Sequence, residues 1–245
     1  MAKFYYDLHL HSCLSPCGDE DMTPNNIVNM SALLELDIIA LTDHNSLKNC
    51  PAFFKVAENS NIVAVTGCEL TTSEEIHVVC LFEFLDDAMR FDRFLESRRP
   101  PIKNKSEIFG RQTVLDENDE KICEENNLLI VASDISLDEV KDVMKEFNGV
   151  CFPAHIDRSS NSVTSVFGFF PSDYGFSFAE IFDRQRENEF REKEAALKNV
   201  ELLSSSDAHY LEDIRERQNY IELDADRENL NEVRKKLFEY LRKEL

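Results

Sequence analysis

Seven short apolar runs alternate with helix-like segments along this chain of 245 residues, and most of the runs close on a short piece that carries a histidine. The runs are Phe4–Leu8, Ile38–Thr42, Ile62–Thr66, Val78–Phe84, Val150–Pro153, Phe178–Phe182 and Val200–Ser204. Helical patterns begin near Pro24, Leu47, Asp86, Ser136, Glu187 and Leu211. A closing helix from about Arg227 to Lys243 carries Leu230, Val233, Leu237 and Leu241 at steps of three and four. Thr23-Pro24 is a start signal, a capping hydroxyl followed by proline in the first turn. Alternation of this kind predicts an α/β fold with a parallel sheet, closed or nearly closed into a barrel.

Residues 97 to 136 break the rhythm. Arg111-Gln112-Thr113-Val114-Leu115, the turn Asp116-Glu117-Asn118-Asp119 and Lys121-Ile122-Cys123 read as a β-hairpin, followed by an apolar run at Leu128–Ala132. The expectation is a single domain over 1–245 with this segment inserted above the barrel mouth, where loops carry function.

The formal charge of −21 repels phosphate backbones, and no basic stripe supplies affinity for them. No long nucleic acid is expected as a partner; a small phosphorylated molecule at a locally cationic site is compatible. No run approaches the ~20 apolar residues of a membrane span. The N-terminus runs straight into the first histidine piece, so no signal peptide and a cytoplasmic location are expected. Seven scattered cysteines read as free thiols in a reducing compartment. Cys13 and Cys17 form the one close pair, with no second pair to complete a tetrahedral zinc site.

All six histidines fall in five pieces: Asp7-Leu8-His9-Leu10-His11, Thr42-Asp43-His44-Asn45, Glu75-Ile76-His77, Pro153-Ala154-His155 and Ser206-Asp207-Ala208-His209. Neutral imidazole is the commonest protein ligand for divalent first-row metals, and carboxylates complete such sites. His9 and His11 are one residue apart, so on a strand both project to one face, and Asp207 and His209 repeat the spacing. Asp43 and His44 are neighbours and point apart; His44 is the expected ligand and Asp43 a hydrogen-bonding partner behind it. Glu69 follows the third run and is placed to bridge two cations. His77 and His155 would each read as core residues alone, and count as ligands because of the ensemble. Arg158, three residues past His155, is expected either to hold a substrate phosphate or to pair with a nearby carboxylate. Arg184 is its rival, and Arg99 or Lys103 of the insertion are others within reach.

This order of motifs resembles the PHP (polymerase and histidinol phosphatase) family over essentially the whole chain. The resemblance implies a distorted (β/α)7 barrel, two or three divalent transition metals (manganese, iron or zinc), and phosphoester hydrolysis. Carried over by motif, His9, His11, Glu69 and Asp207 would hold one metal; Glu69, His77 and His155 a second; His44, His209 and an acidic residue a third. The family's short Ser-Asp-Gly turn is replaced here by the longer Ser15-Pro16-Cys17-Gly18-Asp19-Glu20-Asp21, in which Asp19 is the expected ligand and Asp21 the alternative.

The expected activity is therefore cleavage of a phosphoester in a small phosphorylated metabolite or nucleotide, a metal-held hydroxide attacking phosphorus while the cations neutralise growing charge. Neither G-x-S-x-G nor a Walker loop is present. The competing readings are a C–N hydrolase, since the same metal chemistry cleaves amides, and a non-catalytic metal-bound module.

Overall fold

The computed structural model describes residues 1–243. Its strands are β1 (Ala2–Leu10), β2 (Ile38–Leu41), β3 (Val63–Thr71), β4 (His77–Phe82), β5 (Thr113–Leu115), β6 (Lys121–Glu124), β7 (Val150–Pro153), β8 (Phe178–Glu180), β9 (Glu201–Leu203) and β10 (Tyr220–Leu223). The helices are α1 (Pro24–Leu33), α2 (Cys50–Ala57), α3 (Leu85–Arg98), α4 (Ser106–Phe109), α5 (Leu137–Glu146), α6 (Val163–Phe167), α7 (Glu187–Lys193) and α8 (Leu230–Leu241). One sheet runs β10-β1-β2-β3-β4-β7 and a second pairs β8 with β9. The two meet at both seams. Ile156 N donates to Glu180 O at 2.8 Å, and Leu10 bridges Ala208. The sheet thus curls into a barrel wall, with β10 lying antiparallel on the outer edge of β1.

Inside the wall the residues alternate. Phe4, Tyr6 and Leu8 of β1, Ile38 and Ala40 of β2, Val63 and Val65 of β3, and Val79 and Leu81 of β4 share one buried cluster with Phe152, Phe178 and Leu203. Val233, Leu237, Phe238 and Leu241 of α8 belong to the same cluster, so the closing helix caps one end of the barrel. The residues between them, such as Ile39, Leu41, Ala64, Cys68, Val78 and Cys80, pack outward with α1, α2, α3 and α5. Each fully buried Phe or Leu of this kind stabilises the fold by about 1.5–3 kcal/mol.

The expectation of an all-parallel sheet is corrected at β4. Only residues 72–76 separate β3 from β4, whereas a parallel crossover needs about a dozen residues or more. The pair is therefore antiparallel, with Glu69 opposite Val79 and Thr71 opposite His77, and β4 also runs antiparallel to β7. The start of β4 consequently lies beside the end of β3, which brings His77 to the rim. The helix expected near Leu211 is a single tight turn, Leu211–Asp213, and the Leu128–Ala132 run forms no strand.

The segment before α5 holds an antiparallel pair, β5 with β6, whose turn is drawn in by Asp116 accepting from Asn118 N and Glu120 N. It borders the loops that follow β1 and β2. Asn49 bonds Thr113 O and Leu115 N, Asn45 bonds Leu129 O, and Leu14 packs with Val114 and Leu129. Gly110, at φ +96°, comes so close to Pro16 that a Cβ there would stand 2.2 Å from the Pro16 carbonyl oxygen.

Gly67 sits between Val65 and Glu69 on the inner row of β3, where an added Cβ would meet Cys80 O at 2.4 Å. Backbone cannot yield as a flexible side chain can. Gly67→Ala should lower stability by about 1–3 kcal/mol, read as a lower urea midpoint at unchanged slope. An unshifted midpoint would show that β3 and β4 are farther apart than described.

Candidate metal centre

A β-bulge starts the site. The β1–β2 register shifts between Asp7 and Leu10, and Leu10 packs outward while Leu8 packs inward. Two consecutive residues, Leu8 and His9, therefore face the interior, and His9 and His11 top the apolar row of Phe4, Tyr6 and Leu8. On β3 the row Val63, Val65, Gly67 ends in Glu69; on β4 the row Leu81, Val79 ends in His77. Asp207 and His209 lie beyond the end of β9 rather than on a strand, Asp207 having φ 53°. His155 (φ 28°) and Asn45 (φ 46°) are left-handed as well. Three such non-glycine residues at one rim store strain of order 1–3 kcal/mol each and re-aim the chain there.

Glu69 is the centre, and it is buried. Its Oε1 faces His77 Nδ1 at 2.9 Å, His155 Nε2 at 2.9 Å and His9 Nε2 at 3.3 Å. Its Oε2 faces His44 Nδ1 at 3.0 Å and His11 Nε2 at 3.5 Å. Asp207 Oδ1 lies 3.1 Å from His11 Nε2 and 3.4 Å from His9 Nε2. Three groups have ligand atoms all within 4.8 Å of one another: His9, His11, Glu69 and Asp207; His44, Glu69 and His77; and His11, His44 and His209.

Burial works to raise the Glu69 carboxyl, but His77, His9 and His44 hold it well below the usual carboxylate range. Burial likewise opposes charge on His9, yet Glu180, Glu69 and Asp207 raise it well above the usual imidazole value. His11 is driven well below that value by burial and by His209 and His44. His9 Nε2 and His44 Nδ1 are buried and close to carboxylate oxygens but make no hydrogen bond. A buried polar atom left unpaired costs about 1–3 kcal/mol. Nitrogens and oxygens converging in this way fit divalent cations.

Behind the ligands stands a layer of buried hydrogen-bonding groups. Asp43 accepts from Ser12 N (2.7 Å), Ser12 Oγ (2.6 Å) and Ser15 Oγ (2.7 Å). With its proton given to Asp43, Ser15 Oγ accepts from His11 Nδ1 at 3.0 Å and from His44 N at 3.1 Å. His11 thereby keeps its Nε2 lone pair turned to the centre. Glu180 does the same for His9, accepting from Nδ1 at 3.0 Å, and also holds His155 N at 3.1 Å. Asp7, pushed up to about 6 by burial, accepts from Ser206 N and ties β1 to the Asp207 segment.

All six histidines, Glu69 and Asp207 are thus brought together, with Asp43 behind them. Asp19 is not: its carboxylate accepts from Asp21 N at 2.9 Å and joins none of the three groups, and Asp21 is exposed. Arg158 reaches the rim, pairing with Asp207 Oδ2 at 2.9 Å and lying 4.2 Å over the Phe182 ring. Arg184 turns away, bonding Leu202 O and pairing with Glu187. Arg99 is buried beside Glu125, and Lys103 bonds Asn127. Sequence reasoning missed Glu180 and Ser15; Arg215 stacks its guanidinium 4.6 Å from the Phe182 ring centroid. Glu180 had a signal, being the one charged residue within the apolar run Phe178–Phe182.

A cavity of about 110 Å3 opens over the cluster, lined by His44, Glu69, His77, His155, Arg158, Ser160, Asn161, Asp207 and His209. Larger clefts lie elsewhere, including one of about 390 Å3 between α5, β7 and the end of α8 that contains none of these ligands.

This barrel carries at its rim a histidine–carboxylate cluster with the donor set of a metal centre. The chain belongs to the PHP domain family, whose model matches residues 7–240. The fold is shared with the lesion-specific endonuclease Q of Pyrococcus furiosus, at TM-score 0.65 and 17% identity over 96% of this chain and 55% of that one. A two-domain protein from Bacteroides vulgatus containing a predicted PHP-like metal-dependent phosphoesterase aligns at 0.56 and 16% identity, over 98% and 64%. An amidohydrolase from Chromobacterium violaceum aligns at 0.54 and 16%, over 89% and 91%. This chain spans about half the length of the endonuclease. No curated protein matches the sequence.

Because Glu180 orients His9 through Nδ1, Glu180→Ala should weaken metal binding about 10- to 100-fold, measured by competition with a chromogenic chelator. Unchanged affinity would mean that His9 holds its orientation by packing alone.

Proposed function

We propose that this chain hydrolyses a phosphoester of a small phosphorylated metabolite or nucleotide, using two or three divalent transition metals (manganese, iron or zinc). The observation that carries this reading is Glu69: one buried carboxylate presents one oxygen to His9, His77 and His155 and the other to His11 and His44. That is the donor arrangement of a bridged two-metal site. His9, His11, Glu69 and Asp207 would hold one ion, and Glu69, His77 and His155 a second, with His44 beside them. Cations bound there supply a nucleophile at neutral pH and neutralise charge developing on the phosphoryl oxygens.

The rest is done by the chain's own residues. Arg158 is the one lysine or arginine lining the cavity among the described residues. Its pairing with Asp207 engages Nη2 while Cζ lies 4.2 Å over the Phe182 ring, leaving further donors for a phosphate. Ser160 and Asn161 offer polar groups on the same wall. The cavity of about 110 Å3 opens directly over the cluster and has room for a phosphoryl group beside the ligands. The surface charge of −21 disfavours a long polyanion at this mouth. No helix among the described residues is long and apolar enough to cross a membrane, and all seven cysteines are free, which supports a reducing, cytoplasmic setting.

Elemental analysis and a substrate panel test the proposal. Purified protein should carry two or three transition metals per chain, lose turnover on chelation, and cleave aryl phosphates, nucleotides or sugar phosphates. Cleavage confined to an abasic-site duplex, or to amides, would replace the small-phosphoester reading with a nuclease or a C–N hydrolase. Glu69→Gln should cost two orders of magnitude or more in kcat, since bridging-carboxylate loss removes several kcal/mol of transition-state stabilisation. A near-normal rate would place the bridge elsewhere. Arg158→Ala should raise KM for phosphate monoesters with metal content unchanged, and Arg158→Lys should recover only part, because an ammonium cannot reproduce the planar fork. Steady-state kinetics with an unaltered kcat/KM would return Arg158 to a purely structural pairing.

A further inference from the structure

Acids outnumber bases by 48 to 27 in this chain. Yet the cleft between α5, β7 and the end of α8 is lined by Lys141, Lys145, Arg242 and Lys243, and by no carboxylate among the described residues. Two elements supply these cations. Lys141 and Lys145 stand one turn apart on α5, on the face that meets the cleft, and Arg242 and Lys243 follow directly on α8. Lys141 Nζ donates to Tyr174 O at 3.2 Å and to Gly175 O, the chain turning there through a left-handed glycine (φ +60°). Both acceptors are carbonyls, and no carboxylate stands within ion-pair distance of Lys141 among the described residues. The ammonium is thus anchored at the cleft wall with its charge uncompensated and a third N–H to give. Arg242 uses Nη1 on Glu83 at 2.8 Å and Nη2 on the Asn148 carbonyl at 3.1 Å, which leaves others of its five N–H groups.

The floor of the cleft is apolar. Met144, Phe176, Phe178 and Leu241 are buried and line it, and Lys141 Nζ lies 5.7 Å from the centroid of the Phe176 ring. Ser177 adds a hydroxyl between the two phenylalanines. The volume of about 390 Å3 falls within the ~300–1,000 Å3 of small-molecule pockets. Cations at the wall and apolar side chains below are complementary to an anionic head on an apolar body.

We propose that this cleft binds a small phosphate or phosphonate monoanion or dianion with an apolar or aromatic body, at a site separate from the metal centre. Ammonium and guanidinium groups brought together from two helices favour a phosphoryl group, with three oxygens to share among them, over a carboxylate with two. The cleft shares β7 and β8 with the metal centre but lies at their other ends. Cys151 lines it on the strand that leads to His155, and Phe178 on the strand that ends at Glu180. An occupant of the cleft therefore touches none of the metal-binding side chains, and the inference stands or falls apart from the hydrolase reading.

Titration of the full-length protein with phenylphosphonate, which has no ester to cleave, tests this when followed by backbone amide NMR, because the cleft and the rim are read separately. Saturable shifts should appear at Gly149, Cys151, Gly175 and Ser177. Lys141→Glu should weaken the affinity read at these amides about tenfold or more, the loss of one charge-assisted contact, and leave any shifts at Asn161 and His209 as in wild type. Lys145→Glu, at an exposed position that leaves the Lys141 anchor in place, should weaken it in the same direction. Benzoate should bind the cleft less tightly than phenylphosphonate. No saturable shift at the cleft amides up to millimolar probe, or an unchanged affinity in both variants, overturns the proposal. Shifts confined to the rim overturn it as well and leave the metal-centre reading standing. Equal affinity for benzoate overturns the choice of a phosphoryl group.

Discussion

A single buried carboxylate, Glu69, organises this molecule. It ends the inner row of β3 above Val63 and Val65, in a region walled by apolar side chains and closed at the other end by α8. An ionised carboxylate there costs several kcal/mol unless it is compensated. Five imidazoles supply that compensation within 3.5 Å of its two oxygens. Charge on Glu69 in turn makes protonated or metal-bound imidazoles tolerable around it. Neither half of the arrangement is stable in the interior without the other.

That mutual dependence extends outward by one layer. Three further buried acids, Asp7, Asp43 and Glu180, stand behind the ligands. Asp43 acts on His11 through Ser15, Glu180 on His9 and the His155 backbone, and Asp7 on the backbone leading to Asp207. Each fixes a ring or a chain direction, so the lone pairs point inward before any ion arrives. The cost of burying these acids is met by dense hydrogen bonding, as at Asp43 with its three donors. The apolar plug below makes the site dry enough for such bonds to be strong. The segment containing β5 and β6 then borders the loops that carry His11 and His44.

Much of this was legible before any coordinates. Five of the six histidines, Glu69 and Asp207 lie just past an apolar run and His77 just before one, and runs of four to seven residues with helical patterns between them read as barrel strands. Other features were not legible. The direction of β4 depended on a five-residue connection whose meaning is geometric, and it decides why His77, first in its strand, can join ligands that end theirs. The bulge at Leu8 and His9 breaks the simple alternation of β1, and nothing in the residue types announces it. Glu180, though the one charged residue of its apolar run, and Ser15 could not be given their roles because their partners, His9 and Asp43, are 171 and 28 positions away.

The sequence by itself determined the class of chemistry. Imidazole and carboxylate are the donors of hard and borderline cations whatever the fold, and their placement after apolar runs requires strand ends to converge. What only the tertiary structure decided is which donors meet. Asp19 and Asp21 are two residues apart on one loop and both acids on paper, yet the fold turns the Asp19 carboxylate to Asp21 N and leaves Asp21 exposed, so neither joins the cluster. Arg158 and Arg184 follow their runs in the same way, and only the path of the chain takes one to the mouth and the other to Leu202. Residue type sets the chemistry a side chain can perform; backbone direction, held by bonds between positions far apart in sequence, sets the side chains with which it can perform it.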